Sequence, residues 1–453
     1  MATVFWFRRD LRLGDNIALN AAVRAAGAAG DRSVLASYAV DTDAFAALAG
    51  IRQHSLTESL RSLSADLDGA LNVFQGPAAS AILKAAELAK ASEVFATRAF
   101  DPQGVAEQNA VGKTLSEEGI RLVLSDSYYA VPPSSVTKGD GTAYRVYTPF
   151  YNGWLAHGWA APAPLEPGAT WLRLDDDGIP SPTEVSPIRV RAGEAFALRT
   201  WERFKVRALA NYGEDRNRPD LSGTSQLSHA LAHGEIHPRT LLAELGDSDG
   251  EIVYRKELAW REFYADVLWQ DPDSLDDYLI RKFAKMRYDS GELANERFAS
   301  WTQGKTGYPI VDAGMRQLLT TGWMHNRVRM IVGSFLVKDL HLEWQLGARW
   351  FERHLSDYDP ASNSHGWQWV AGSGTDASPY YRVFNPITQG EKFDPIGDYV
   401  RKFVPELAHI GGVEIHSPWL LADGFAHGYP APIVDHAVER VEALARLEEL
   451  KGQ

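Results

Sequence analysis

The hydrophobic period of this chain changes once, and that change constrains the fold more than any single motif. Up to about residue 130, short apolar runs alternate with amphipathic helical patterns. The runs are TVFWF, SVLASYAV, ALNVF, EVFAT and RLVLS. Between them lie a helix opening at Asp15-Asn16, a helix near SLTESLRSLSADL, then AASAILKAAELAKA and VAEQNAVGKTLSEEG. Strands and helices alternating at this spacing form a parallel sheet with helices on both faces. From about residue 196 the strand patterns stop. RTWERFKVRALANY, VYRKELAWREFYADVLW, VDAGMRQLLTT and WMHNRVRMIVGSFLVKDL all have helical period. Residues 131–195 are rich in Pro, Gly and Ser and predict a surface connection with little regular structure. The expected organisation is an α/β domain over residues 1–130, an interdomain linker over 131–195 and an all-α domain over 196–453. The last of these closes on an amphipathic helix, VDHAVERVEALARLEELKGQ.

Composition narrows the chemistry. The chain has no cysteine, which removes disulfide scaffolds, thiolate catalysis and Cys-ligated metal. The opening MATVFWFRRD reads as a strand rather than a signal peptide, and no apolar run approaches transmembrane length. A cytoplasmic protein without membrane contact is expected. The net charge of −13 argues against phosphate binding over the whole surface, yet a local basic stripe can coexist with an acidic remainder. The first βα turn, FRRDLRLGDN, lacks G-x-G-x-x-G, so an ordinary dinucleotide site there is not expected.

Several clusters in the second half could carry chemistry. GTSQLS, Gly223 to Ser228, offers hydroxyl and backbone donors to a phosphate or, more plainly, caps a helix. In ELAWREFY, Glu257, Trp260, Arg261 and Tyr264 share one helical face. That face suits an aromatic ligand with polar edges, or holds a half-buried Trp beside an intrahelical ion pair. GWMHNRVRMIVGS places Trp323, Asn326, Arg329, Met330 and Gly333 on one face, where Asn and Arg are costly unless they bind something. Gly333 would let a ligand approach the backbone closely. The acids of SDYDPASN either hold a metal or pair with an arginine such as Arg329. His229, His233 and His237 have helical spacing, but no HExxH exists and no metal site is expected. Asp175, Asp176 and Asp177 read as a solvated acidic turn. NSHGWQW puts two of the 14 Trp one residue apart in a segment too polar for core.

The order and density of these motifs carry more than any one of them. TGYPIVDAGMRQLLTTGWMHNRVRMIVGSFLVKDLHLEW, NSHGWQWVAGSGTDASPYYRVFNPITQGEKFDP and FWFRRDLRLGDN closely resemble the photolyase/cryptochrome family, and the likeness runs from the first strand to about residue 440. Within the family the chain looks like a class I photolyase for cyclobutane pyrimidine dimers. The resemblance implies FAD bound in the all-α domain rather than in the Rossmann-like one. Tyr212 and the run Thr224, Ser225, Gln226, Leu227 and Ser228 would hold its pyrophosphate. Trp323, Asn326, Arg329, Asp357, Tyr358 and Asp359 would surround the adenine, ribose and isoalloxazine. Asp357 would accept from the flavin ring while paired with Arg329, and Asn363 would sit by flavin N5.

The resemblance also implies a partner, UV-damaged DNA, single- or double-stranded, with the dimer flipped out of the stack. Glu257 would hydrogen-bond the pyrimidine edge and stabilise the anion radical, with Asn326 beside it. Trp260 and Trp369 would pack on the dimer and Met330 would line its side. Arg216, Arg261, Arg327 and Arg382 would meet phosphates. Trp367 and Trp344 resemble the first two members of an electron-transfer chain. Where the usual third Trp precedes Trp301, this chain has Gly291 in ungapped register, or Tyr288 with a short insertion. Asn326 and Met330 stand where (6-4) photolyases place histidines, and Asn363 stands where cryptochromes carry Asp or Cys; both favour dimer repair, over the alternative of a cryptochrome-like blue-light photoreceptor. A second, antenna chromophore is implied. Glu107 matches an acid of the folate binders, but the Cys-Lys pair that some of them use has no counterpart near Pro272 to Tyr278, and Arg52 and Asp101 could serve a deazaflavin, which is favoured over methenyltetrahydrofolate. A monomer is expected.

Overall fold

The computed structural model describes residues 2–30, 32–375 and 381–452. Its first strand, β1 (Thr3–Phe7), is followed by α1 (Ile17–Ala28), β2 (Ser33–Val40), α2 (Thr42–Ala47), α3 (Gly50–Asp66), β3 (Leu71–Gln75), α4 (Ala78–Ala89), β4 (Glu93–Thr97), α5 (Pro102–Glu117) and β5 (Arg121–Ser125). The strands are parallel in the order β3-β2-β1-β4-β5, with Thr3 opposite Val34 and Val4 opposite Val94. Side chains alternate across a strand, so β1 feeds two cores. Phe5 and Phe7 pack with Leu19, Val23, Leu60 and Leu63 of α1 and α3. Val4 and Trp6 pack with Ile82, Ala85, Val111 and Leu115 of α4 and α5. This is the doubly wound sheet that the alternating pattern predicts.

The linker is more regular than its composition suggests. It contains α6 (Tyr147–His157) and a two-residue strand, β6 (Thr170–Trp171), paired with β2. The acidic run that follows lies along the sheet edge instead of facing water alone. The Asp176 carboxylate accepts from Val73 N–H and the Asp177 carboxylate from Gln75 N–H, which covers the open donors of β3.

After α7 (Glu194–Arg207), the segment Ala208–Thr224 with α8 (Tyr212–Asp215) belongs to the second of two compact units. The chain returns to the first unit with α9 (Ser228–His233), α10 (Pro238–Leu242) and α11 (Asp249–Gln270). The first unit is thus Met1–Arg207 with Ser225–Pro272, and the second is Ala208–Thr224 with Asp273–Gln453. These divisions fall elsewhere than at 130 and 195 because α11 packs on α6 and clamps the chain that leaves the sheet. Glu262, fully buried on α11, accepts from Ala130 N–H at 2.5 Å, Val131 N–H at 3.1 Å and Trp154 Nε1–H at 2.5 Å. Asp266, one turn on, accepts from Ser134 N–H at 2.6 Å.

The second unit continues with α12 (Glu292–Thr302), α13 (Pro309–Thr321), α14 (Asn326–Lys338), α15 (Trp344–His354), α16 (Pro360–Ala371), α17 (Pro386–Phe393), α18 (Asp398–Phe403) and α19 (His436–Lys451). They surround one large core built on Trp301, Phe335, Leu336, Trp344, Phe351, Trp367 and Tyr399. Among the described residues no helix is long and apolar enough to cross a membrane.

Desolvation pushes the Glu262 carboxyl up to about 7. A carboxyl raised on folding stabilises most while protonated, so its contribution is full below the ordinary carboxyl range and is lost as pH rises through about 7. Stability relative to Glu262→Gln should therefore fall over that window. Glu262→Ala, which leaves three donors without their acceptor, should cost about 3 kcal/mol or more in urea unfolding at neutral pH. A cost below about 1 kcal/mol would show the clamp to be dispensable.

Candidate functional site

In the second unit the site grows from two helix ends. α13 stops at Gly322, whose φ of +64° suits a residue without Cβ. The Gly322 carbonyl then accepts from both the N–H and the hydroxyl of Ser356, at 2.8 and 3.0 Å, which fixes the residue before Asp357. α14 starts only at Asn326, with His325 as its cap accepting from Arg327 N–H. Trp323 is therefore not on the helical face with Asn326, Arg329 and Met330; it lies in the connection between α13 and α14. Desolvation and the guanidinium groups of Arg329, Arg327 and Arg216 push His325 down to about 4, so it stays neutral and can accept.

The acids of SDYDPASN divide their work. Arg329 donates from Nη2 to Asp357 Oδ2 at 2.7 Å and from Nε to the Met324 carbonyl at 2.8 Å. The Asp357 side chain is 1% exposed, and its second oxygen, Oδ1, is buried with no hydrogen-bond partner. A buried acceptor left open beside a guanidinium is suited to an N–H of a bound heterocycle. Asp359 caps α16 by accepting from Ser362 N–H, with Pro360 at the first helical position. Tyr358 is half-buried between the two acids. Asn363, on the first turn of α16, donates to the Ala348 carbonyl at 3.1 Å. Asn363, Tyr358 and Trp344 line one small cavity of about 20 Å³.

NSHGWQW lies wholly inside α16. Trp367 is buried, whereas Trp369 is half-exposed. A Cβ at Gly347 would sit 2.1 Å from the Trp367 ring, and one at Gly333 3.4 Å from it. The group that approaches Gly333 is thus the indole of Trp367, not a ligand. Trp367 also meets Phe351 at 5.0 Å and Trp301 at 6.1 Å, and its Nε1 has no partner. Trp344 meets Tyr278 at 6.1 Å, and Tyr278 stacks on Tyr288 at 6.4 Å. Nothing local in the sequence distinguishes Tyr278; only its neighbours in the fold do.

The expected phosphate contacts vary. Arg382 is exposed, and it lines a cavity of about 210 Å³ with Trp369, Lys282, Lys338 and Lys451. Residues 376–380, next to it, lie outside the described residues. Arg216 lies 5.8 Å from the ring of buried Tyr212. Arg327 binds the Asn217 side-chain oxygen at 2.6 and 3.2 Å and lies over Phe393. Asn326 is exposed and Met330 half-buried.

In the first unit, α11 carries Glu257, Trp260, Arg261 and Tyr264, all half-buried. One face of Trp260 is taken by Tyr147, stacked at 3.7 Å and 8°. Arg261, expected as a phosphate contact, is engaged with the protein's own backbone. It donates to the carbonyls of Tyr128 and Leu231 and lies 4.6 Å from the Tyr129 ring, bracing the chain beyond the sheet.

GTSQLS straddles the division between the units, which falls after Thr224. Its hydroxyls do not cap α9; the cap position is Leu227, with no side-chain bond. Gln226 has a φ of +55°, and Ser225 Oγ accepts from Tyr254 OH at 3.1 Å. His229 and His233 lie on α9, but Gly234 ends that helix, so His237 caps α10 instead of continuing the triplet. At the sheet's switch point, between β1 and β4, the protein fills the crevice itself. Arg8 is bonded to Glu107 and the Gly104 carbonyl, and fully buried Asp10 accepts from Thr97 and Arg8 N–H.

Known proteins agree with this anatomy. A family model for DNA photolyase matches residues 3–168, and one for the FAD-binding domain of DNA photolyase matches residues 254–449. A deoxyribodipyrimidine photo-lyase of Agrobacterium fabrum is 39% identical over 99% of this chain and 98% of its own length. One from Vibrio cholerae is 37% identical over 99% of both chains. Among solved structures, a bacterial class III photolyase from Agrobacterium tumefaciens superposes with a TM-score of 0.90 at 37% identity, covering 100% of this chain and 98% of that one. With two family models spanning both halves and full-length relatives above 30% identity, this chain belongs to the DNA photolyase family.

Proposed function

We propose that this protein is a deoxyribodipyrimidine photo-lyase that splits cyclobutane pyrimidine dimers in UV-damaged DNA with light and bound, reduced FAD. The observation that carries the reading is the open, buried oxygen of Asp357 beside Arg329. It is the acceptor a flavin ring requires, on the loop the family uses. When bound, the flavin supplies one electron under light and takes it back once the ring is opened, so no net redox change results. We keep the reading at dimer repair, since the class I expectation meets a class III neighbour at 37% identity.

The chain's own residues would divide the remaining work. In the second unit, Arg329 orients the Asp357 carboxylate and offsets its charge where water is scarce. Tyr358, Asp359, Trp323 and Asn326 border the ligand, and Asn363, held by Ala348, presents an amide to it. Tyr212 and the strained turn at Thr224 to Ser228 are assigned to the pyrophosphate. A positive φ at Gln226 is the kind of conformation kept where function requires it. For DNA, Arg382, Arg216 and Arg327 are assigned to phosphates and Trp369 and Met330 to the flipped dimer. In the first unit, Glu257 is assigned to the pyrimidine edge and Trp260 to stacking, with one face already supported by Tyr147. Trp367 and Trp344 are assigned to reduction of the flavin. For the antenna we favour a deazaflavin over methenyltetrahydrofolate, because Glu107, the acid matching the folate binders, is already bound by Arg8. We take the protein to act as a monomer in the cytoplasm.

Three substitutions test these roles. Asp357→Ala should lower FAD retention by one to two orders of magnitude, read as flavin absorbance per protein after gel filtration; full retention would remove the carrying observation. Glu257→Ala should lower the quantum yield of dimer repair while leaving FAD bound, and an unchanged yield would sink its role. Trp367→Phe should abolish light-driven flavin reduction while chemically reduced protein still repairs. Photoreduction at the wild-type rate would show that electrons enter elsewhere.

A further inference from the structure

The geometry points to Tyr278 as an aromatic bridge that conducts an electron from Tyr288 to Trp344. The inference rests on the flavin reading above, since the flavin excited by light is the oxidant. Trp367 can hand its deficit to Trp344 because the Trp367 ring lies on Gly347, one turn along α15 from Trp344. Beyond Trp344 the expected donor is Tyr288. The ring that meets Trp344 is instead Tyr278, edge-on at 6.1 Å and 88°, and Tyr278 in turn stacks on Tyr288 at 6.4 Å and 21°. Tyr278 is 3% exposed. Its position is imposed by Gln368, the neighbour of Trp367 on α16. The Gln368 amide donates to the carbonyls of Ser274 and Asp277 at 2.7 and 3.2 Å and accepts from Leu279 N–H at 2.7 Å. The segment that bears Tyr278 is thereby tied on both sides to the helix that bears Trp367.

The bridge differs from an oxidisable stop for a chemical reason. A phenol that loses an electron becomes strongly acidic and must lose its proton. The neighbours of the Tyr278 hydroxyl are the neutral Tyr288 hydroxyl and the Gln345 amide, and no carboxylate or imidazole is bonded to it to take that proton. Indole needs no such partner, which is consistent with the unpartnered Nε1 of both Trp344 and Trp367. Tyr288 is half-buried rather than enclosed. One electron leaves Tyr288, crosses the Tyr278 ring and fills the vacancy on Trp344. The hydroxyl proton of Tyr288 passes to water, leaving a neutral tyrosyl radical. An added thiol then restores Tyr288 by giving up a hydrogen atom.

The competing route is also built of rings. Trp367 meets Trp301, Trp301 stacks on Phe298 at 5.9 Å, and Phe298 meets half-exposed Trp350 at 6.4 Å. It contains no phenol and so leaves no tyrosyl signal, which makes the two separable.

The test is flash photolysis of the FAD-loaded protein without thiol, following the sharp near-ultraviolet band of the tyrosyl radical and its electron paramagnetic resonance signal. Tyr288→Phe should remove both. Tyr278→Leu, which removes the bridging ring, should slow the appearance of the radical by an order of magnitude or more. Tyr278→Phe keeps the ring and should restore the wild-type rate. An unchanged rate in Tyr278→Leu, or a slow rate in Tyr278→Phe, overturns the bridge while leaving the flavin reading intact. So does a wild-type protein that binds FAD and is photoreduced with no tyrosyl signal, its reduction lost in Trp350→Phe. A wild-type protein that takes up no FAD overturns the flavin reading instead. The same variants are then oxidised by a flash-excited ruthenium complex in solution, and transfer from Tyr288 to Trp344 must show the same order of rates for the bridge to stand.

Discussion

The second unit depends on one close approach. α16 lies against α14 and α15 with the Trp367 indole seated where a side chain at Gly347 would be and in contact distance of Gly333. No larger residue fits at Gly347, because its Cβ would overlap the ring. That contact sets where the rest of α16 falls. Asp359 ends up at its N-terminus, Asn363 reaches the Ala348 carbonyl, and Gln368 reaches the segment that carries Tyr278. Helix packing, not any ligand, therefore places the polar groups, and such pre-placement lowers the ordering cost of binding.

The Arg329–Asp357 pair is the electrostatic counterpart of that packing. Removing a carboxylate from water is costly, and one partner guanidinium offsets it only in part. The open Oδ1 is then unfavourable until a donor arrives. Similar reasoning explains how an acidic protein can meet DNA. The net charge of −13 is a sum over the chain, whereas Lys282, Arg382 and Lys451 line a single cavity with Trp369. Local fields, not the total, govern a contact with phosphate.

The first unit shows the same fold-level economy with the opposite outcome. Its sheet has a switch point where parallel α/β folds commonly bind a ligand, but Arg8, Asp10, Thr97 and Glu107 close that crevice on themselves. Glu262 then joins the chain leaving the sheet to α11, so one long helix becomes part of a unit to which its sequence pattern did not assign it.

How much of this was legible depended on range. The sheet, its two buried faces and the helices that cover them follow from periods of two and about 3.6 residues in the sequence. The missing glycine fingerprint argued against an ordinary dinucleotide site, and the pairing of Arg329 with an acid of SDYDPASN was readable from the cost of burying either alone. Other features were decided only in three dimensions. Trp323 left the helical face because Gly322 ends one helix and His325 caps the next. Gly333 serves Trp367 rather than a ligand. Arg261 braces backbone carbonyls, and Tyr278 gained its place because Gln368, some ninety residues away, holds its segment. Sequence by itself determined what local periodicity and residue chemistry can specify: the elements, their amphipathic faces and the types of group available. Tertiary structure alone decided which of those groups meet, because contacts between residues distant in the chain are set by packing that no local pattern records.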